Sequence, residues 1–299
     1  MTPPDGGGDR LWIVGAGRLG LALGLRLRRA GALASLAYSG RRIAPPDHPL
    51  FASPDPLARY QIGLSPVPEG IDGVLIAVPD GAIADVVAGL ASIDLPAIPI
   101  LHASGSRSLD VLAPLAAKGH AVGGVHALAA IADPVEGTER LRGASFGVEG
   151  EGAARELAMR IVAGCQGRAL AIRPGGKALY HAAAVFASNY AVALLAVAER
   201  LMAEAGVDAG DSEPALAALA GGAVENVAAR GTAAALTGPV VRGDVETVEM
   251  HLARLSDADR SLYCLLGLEA LELAAARGVD PAAAARLREL LGDSGDSGR

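Results

Sequence analysis

Lysine is nearly missing from this chain. Of 26 basic side chains only two, Lys118 and Lys177, are lysines, and arginine supplies the rest. Arginine keeps its proton near neutral pH, so few basic groups remain for proton-transfer chemistry. No run of Lys or Arg exceeds two residues and the formal net charge is −7, which argues against a nucleic-acid or anionic-membrane surface. Cysteine is scarce too. Cys165 and Cys264 stand far apart, with no Cys-x-x-Cys and no metal-type spacing. No metal centre is expected, and this usage fits a reducing cytoplasm. Aromatics make up 3% of the chain, so the core must come from Ala, Leu and Val, with close helix packing. The stretch from Met1 to Arg10 has acids and no basic leader, so it does not read as a secretory signal. The longest apolar run, about 182–198, contains Ser188, Asn189 and Tyr190. It falls short of a membrane span and reads as a buried helix.

The 299 residues are 51% hydrophobic and 20% charged, a composition for a soluble globular protein long enough for two domains. Leu11–Val14 is an apolar run that stops at glycine, and residues 18–30 follow as an apolar helix. Leu33–Tyr38 reads as a second strand and 43–57, rich in proline, as a loop. Gly73–Val78 is the clearest buried strand, stopped by Pro79-Asp80, with Asp80 capping a helix at 81–91. Strands near 98–102, 121–126, 144–148 and 168–172 alternate with helices near 107–118 and 152–164. Such alternation predicts a doubly wound parallel sheet covered on both faces. After the breaker Arg173-Pro-Gly-Gly176 the pattern turns all-helical: about 177–206, 212–229, 244–254, 256–277 and 280–291. The predicted class is therefore α/β plus all-α, with domains at 10–173 and 174–291. Residues 1–9 and 292–299 read as disordered.

The turn Gly15-Ala16-Gly17-Arg18-Leu19-Gly20 matches G-x-G-x-x-G between an apolar strand and an apolar helix, the context a dinucleotide-binding turn requires. Gly15 permits the turn, Gly17 leaves room for a pyrophosphate, and Gly20 allows helix and strand to pack closely. An acid at the end of the second strand would hold a ribose 2′-hydroxyl. Here the end reads Tyr38-Ser39-Gly40-Arg41-Arg42, and a hydroxyl with two guanidiniums suits a 2′-phosphate, so NADP(H) is the expected cofactor. A solvated arginine pair is the plainer alternative. Val78-Pro79 and His102 follow later strands and should border the nicotinamide, and Ser104 and Gly105 could present donors to a substrate anion. His102 and His126 both sit at strand ends, where a ligand contact and a backbone hydrogen bond are equally open.

Lys177 begins a second constellation. At 100° per residue, His181 lies about 40° and Ser188 about 20° from it round a helix, with Asn189 about 120° away. An apolar pocket would let this lysine give up a proton, the acid that a carbonyl needs once hydride arrives. His181 could relay that proton, and Ser188 or Asn189 could hold a substrate. The alternative is a lysine at a helix start with a hydrogen-bonded core histidine. The loop Thr237-Gly-Pro-Val-Val-Arg242-Gly-Asp244 could bind a carboxylate or fix a partner subunit through Thr237 and Arg242, or be a simple helix–helix turn. Asp244 is placed to cap the next helix.

Taken in order, the G-x-G-x-x-G start, V-P-D, H-x-S-G, G-x-V-H, K-x-x-Y-H-x-A-A-x-x-x-S-N and T-G-P-x-x-R-G-D-x-x-T-V-x-x-H resemble the family that joins a Rossmann-like domain to a domain of unknown function, DUF2520. The resemblance runs over roughly residues 10–290 and departs at His126-Ala127, where His-Pro is the family's pattern. The family is similar in build to ketopantoate reductases, pyrroline-5-carboxylate reductases and β-hydroxyacid dehydrogenases. The resemblance implies NADP(H) use, a lysine proton donor at Lys177 with an asparagine at Asn189, and a substrate contact at Ser104. The expected activity is NADPH-dependent reduction of a small anionic carbonyl compound, ketopantoate-like, in a cytoplasmic homodimer joined through the helical domain. Cyclic-imine reduction and a non-catalytic NADP(H) sensor are the alternatives.

Overall fold

The computed structural model describes residues 8–52 and 56–292. The expectations for residues 1–7, 53–55 and 293–299 lie outside the described residues. The chain divides into two compact units, which meet in sequence between Asn189 and Tyr190.

The first unit is built on an eight-stranded sheet. Its strands are β1 (Asp9–Val14), β2 (Leu33–Gly40), β3 (Arg59–Ile62), β4 (Gly73–Ile76), β5 (Ile100–His102), β6 (Val122–Ala127), β7 (Ser145–Gly150) and β8 (Arg168–Ala171), in the order β3-β2-β1-β4-β5-β6-β7-β8. The apolar runs of β1 and β4 are buried because both faces of the sheet are covered. On one face Leu11, Ile13, Leu75 and Leu101 meet leucines of helix α1 (Arg18–Arg29) and Leu157 and Ile161 of a later helix, Gly152–Gly164. On the other, Trp12, Val14, Val74, Ile76 and Ile100 meet Ile83, Val87 and Leu90 of α2 (Ile83–Ser92). Short helices α3 (Ala113–Ala116) and α4 (Gly137–Arg140) precede the Gly152–Gly164 helix, α5, and α6 (Lys177–Ala187) ends the unit.

Three expectations need correction here. The sheet is not wholly parallel, because β7 runs antiparallel to β6. The short β3, polar at Arg59 and Gln61, adds an edge strand that carries no apolar signature. Asp80 caps no helix. Its carboxylate is instead the acceptor of the Ser106 hydroxyl, and α2 starts later, without a side-chain cap.

The second unit holds α7 (Asn189–Glu204), α8 (Ala209–Arg230), α9 (Thr232–Ala235), α10 (Pro239–Arg242), α11 (Val245–Leu252), α12 (Asp257–Ala275) and α13 (Pro281–Gly292). Among the described residues it contains no strand. Its core gathers Val240, Val248, Leu252, Cys264, Leu271, Leu287 and Leu291. Asp244 caps α11 as expected, accepting from the Thr247 amide at 3.2 Å and its hydroxyl at 2.8 Å. The helix expected over 177–206 is interrupted: Ser188 leaves helical geometry at φ −124°, ψ −70°. Nor is the apolar run buried. Taken across that break, Lys177–Glu204 is long and apolar enough by composition to cross a membrane, and none of its most apolar window is buried. Alanine-rich sequence makes a buried helix and an exposed one look alike.

Candidate functional site

The carboxyl end of β1 turns directly into α1. Gly15 takes φ +117°, and a side chain there would run into the Ala77 carbonyl. A side chain at Gly20 would meet the Gly15 carbonyl, so this glycine sets the close approach of helix to turn. A Cβ at Gly17, by contrast, would meet nothing within 4 Å. Gly17 and Arg18 are exposed, Ala16 and Leu19 half-buried, and no side chain caps α1. Its first amides therefore stay available to an anion, where the helix dipole adds partial positive charge. Arg41 and Arg42 are exposed just beyond β2. Ser39 is not placed as expected. It is 2% exposed, and its hydroxyl accepts from the Trp12 indole at 2.9 Å.

One lateral row of the sheet carries the rest of the site. Ser39, Val14, Ile76, His102, Gly124 and Glu149 are register partners from strand to strand. Partners in such a row point to one face. Lys177 opens α6 at the far end of this row. It is 4% exposed, and its Nζ lies 2.6 Å from Glu149 Oε2 and 5.7 Å from the centre of the Tyr180 ring. The pocket is therefore polar, not the apolar one the sequence suggests. The Lys177–Glu149 approach is an ion pair without the angles of a hydrogen bond, so Nζ and Oε2 both lack a hydrogen-bond partner. His102 Nε2 and His181 Nδ1 lack one as well. The lysine and the carboxylate satisfy each other as an ion pair, whereas the two imidazole nitrogens are left open to a polar group, an uncommon state for buried polar atoms.

The histidines differ in role. His102 is fully buried, and its Nδ1 accepts the Ser104 amide at 3.2 Å. Burial pushes its pKa down to about 4, with the Lys177 charge adding to the effect. His126 is also pushed down to about 4, by burial first and the Lys177 charge second, with His181 adding to both. Its Nδ1 lies 2.9 Å from the Tyr180 hydroxyl, whose own pKa burial raises. Both imidazoles are thus neutral near pH 7. His126 and His181 stand edge to face, 6.1 Å apart, with Gly105 between them: a Cβ there would lie 2.6 Å from His181 Nδ1 and 2.7 Å from His126 Nε2. Ser104 is turned inward, its hydroxyl accepting the Ser106 and Arg107 amides at 3.1 and 3.0 Å. Burial would raise the Asp80 carboxyl, but hydrogen bonds from Ser106 and Ser104 and the charges of Arg107 and His181 outweigh it and hold it below the usual range. Val78 and Pro79 lie on the turn leading to Asp80, half-buried and exposed respectively.

Four further expected residues are placed as follows. Ser188 and Asn189 are exposed beyond the end of α6. Thr237 and Arg242 belong to the second unit, where Thr237 is exposed and Arg242 approaches Asp244 at 3.8 Å. His251 Nδ1 lies 2.9 Å from the Tyr263 hydroxyl in that unit. Two members of the group were missed by sequence reasoning. Glu149 shows as the lone charge in β7, a signal masked by the Glu-Gly-Glu-Gly that it opens. Tyr180 stands within K-x-x-Y-H without an evident task until the fold brings it to His126.

Comparison with known families divides the chain in two. Residues 8–127 match the Rossmann-like domain and residues 144–270 match DUF2520, a domain of unknown function. No protein of curated function matches the chain. Among solved structures it is similar to protein TM1727 from Thermotoga maritima, at 23% identity and a TM-score of 0.67, over 89% of this chain and 99% of that one. It is also similar to pyrroline carboxylate reductase from Plasmodium falciparum, solved with NADP bound, at 14% identity and a TM-score of 0.57, over 93% and 98%. A third is the reductive aminase from Aspergillus terreus, in complex with NADPH and ethyl levulinate, at 16% identity and a TM-score of 0.56, over 96% and 93%. At these identities the likeness is one of fold.

Proposed function

We propose that the chain is an NADP(H)-dependent oxidoreductase that reduces a small carbonyl compound, with Lys177 as proton donor. The observation that carries this reading is the Lys177 side chain, buried beside the Glu149 carboxylate on the same sheet row that passes the dinucleotide turn. The residues present fit the cofactor. Gly17 leaves space at the uncapped start of α1, and Arg41 and Arg42 stand free for a 2′-phosphate. When bound, NADPH supplies hydride to the substrate carbon. Lys177 polarises the carbonyl and gives its proton to the oxygen. His102 and His126, neutral at pH 7, add no competing positive charge, and His181 is placed to orient the substrate. Small 2-oxo acids of the ketopantoate type are the first compounds to assay. The second reading is reduction of a cyclic imine, favoured by the carboxylate already beside Lys177, since Glu149 would welcome an iminium.

The test is NADPH oxidation with a panel of oxo acids, ketones and cyclic imines. Lys177→Ala should cost about 10²–10⁴-fold in carbonyl turnover while NADPH still binds. Near-normal turnover in a folded variant would remove Lys177 from the chemistry. If NADPH binds and no panel member consumes it, a binding module is the better description. A titration with NADPH and NADH checks the arginines: replacing Arg41 and Arg42 by Ala should weaken NADPH by about tenfold or more and leave NADH unchanged.

A homodimer through the helical unit completes the proposal. α7 buries no residue, while Leu219 and Val224 of α8 are 72% and 69% exposed. Apolar faces of this kind usually meet another protein surface. Ser188 and Asn189 break the apolar run, which favours a second copy over a bilayer as its cover. The two buried free cysteines, Cys165 and Cys264, suit a cytoplasmic setting.

A further inference from the structure

Gly124 lies between two side chains that have no direct reason to be neighbours. His102 and Glu149 are its register partners on either side, so their Cα atoms stand two strands, about 10 Å, apart on one face. A Cβ on Gly124 would lie 3.3 Å from His102 Cε1 and 3.5 Å from Glu149 Oε2. Both side chains therefore lean into the space that glycine leaves. Glu149 is reached there by Lys177 from the start of α6, and neither member of the pair is more than 10% exposed. The Tyr180 ring and His126 stand near the same Lys177 nitrogen, His181 lies against His126, and the Asp80 carboxylate acts on His102 and His126.

We propose that Glu149 is the positioning residue of this site: its carboxylate holds Lys177 as a paired ammonium in a desolvated pocket, and Gly124 is the opening that admits it. An ammonium taken out of water needs a counter-charge, since alone in a low-dielectric pocket it gives up its proton instead. Two neutral imidazoles cannot supply that charge. Glu149 can, and it also fixes where Nζ sits. The consequence for catalysis rests on the oxidoreductase reading: without Glu149 the donor would arrive with no proton to give.

The chain's two lysines make the test direct, because nitrogen-15 NMR of the lysine Nζ groups has only Lys118 and Lys177 to resolve. In the full wild-type chain at mildly alkaline pH, Lys177 should give an ammonium signal. Glu149→Gln should abolish it and Glu149→Asp should keep it, with Lys118 unchanged throughout. Reductive methylation read by peptide mass spectrometry should run in parallel: the Lys177 rate rises about tenfold in E149Q and stays near wild type in E149D. An ammonium signal that persists in folded E149Q overturns the proposal, as does equal behaviour of the two variants. Should E149Q fail to fold, the wild-type spectrum decides, and a neutral amine at Lys177 would refute the pairing. These readouts use neither substrate nor cofactor, so they can fail while the oxidoreductase reading survives, and the reverse.

Discussion

In the sheet unit β4 buries every residue from Gly73 to Ile76, whereas in the helical unit α7 buries none of its 16 residues. Both segments are apolar. The difference lies in what each can pair with inside one chain. A strand in the middle of a doubly covered sheet meets neighbours on four sides, two by backbone hydrogen bonds and two by helix side chains. A helix needs a partner of its own, and the small core of the helical unit is built by α10 to α13. Apolar content therefore forecasts burial for the sheet and only a need for burial in the helices.

Three measurements would break or sharpen that contrast. The largest effect is expected from Leu75→Ala, in the middle of β4, which should lower unfolding stability by about 2–5 kcal/mol. Trp12, the only tryptophan, is buried in the same sheet, so its fluorescence follows this unit. A loss under about 1 kcal/mol would mean the sheet repacks far more readily than a close-packed core does.

Acid should act on the sheet unit next. His102 titrates at about 4 in the fold against an ordinary 6.5, because burial disfavours the imidazolium. The unfolded chain then binds the proton first. The stabilising contribution is fully present above about pH 6.5 and is lost as the pH falls toward 4, by roughly 3 kcal/mol in all. His126 works in the same direction. Denaturant titrations across that range should show the loss in Trp12 fluorescence, and a folded His102→Asn variant should show less of it. An equal slope in both would place the proton elsewhere.

The smallest effect on intrinsic stability belongs to Leu219→Ala on α8. An exposed side chain of this kind should change the unfolding free energy, followed by far-UV signal at high dilution, by about 0.5 kcal/mol or less. Leu219→Asp with Val224→Asp should nevertheless convert a dimer to a monomer in light scattering. A monomeric wild type would show that the helical face is covered by something other than a second copy.

Much of the fold was legible in advance. The runs at β1 and β4, the glycine turn and the break after β8 all announce themselves by short-range patterns, because each is fixed by local backbone needs. Within the candidate group, Lys177 stood out in the sequence because so rare a residue does, and His126 and His181 were singled out with it. What stayed hidden depends on strand direction and register. Glu149 reaches Lys177 only because β7 runs against β6 and places Glu149 opposite Gly124, and nothing within 144–150 states which way that strand runs. Asp80 looked like a cap because Pro-Asp before an apolar helix is a cap signature. Its carboxylate found Ser106 instead, a contact that exists only once two loops meet.

The reversed β7 also sets the direction in which α5 leaves the sheet. α5 begins at Gly152, on the amino side of the row that holds His102 and Glu149, and Ala154, Leu157 and Ala158 pack it against the opposite face. β8 runs with β7, so both strands end on the amino side of β6, and α5 and Lys177 set out from that same edge. What keeps the two apart is the sheet itself: α5 takes one face, and Glu149 turns to the other, where Lys177 meets it.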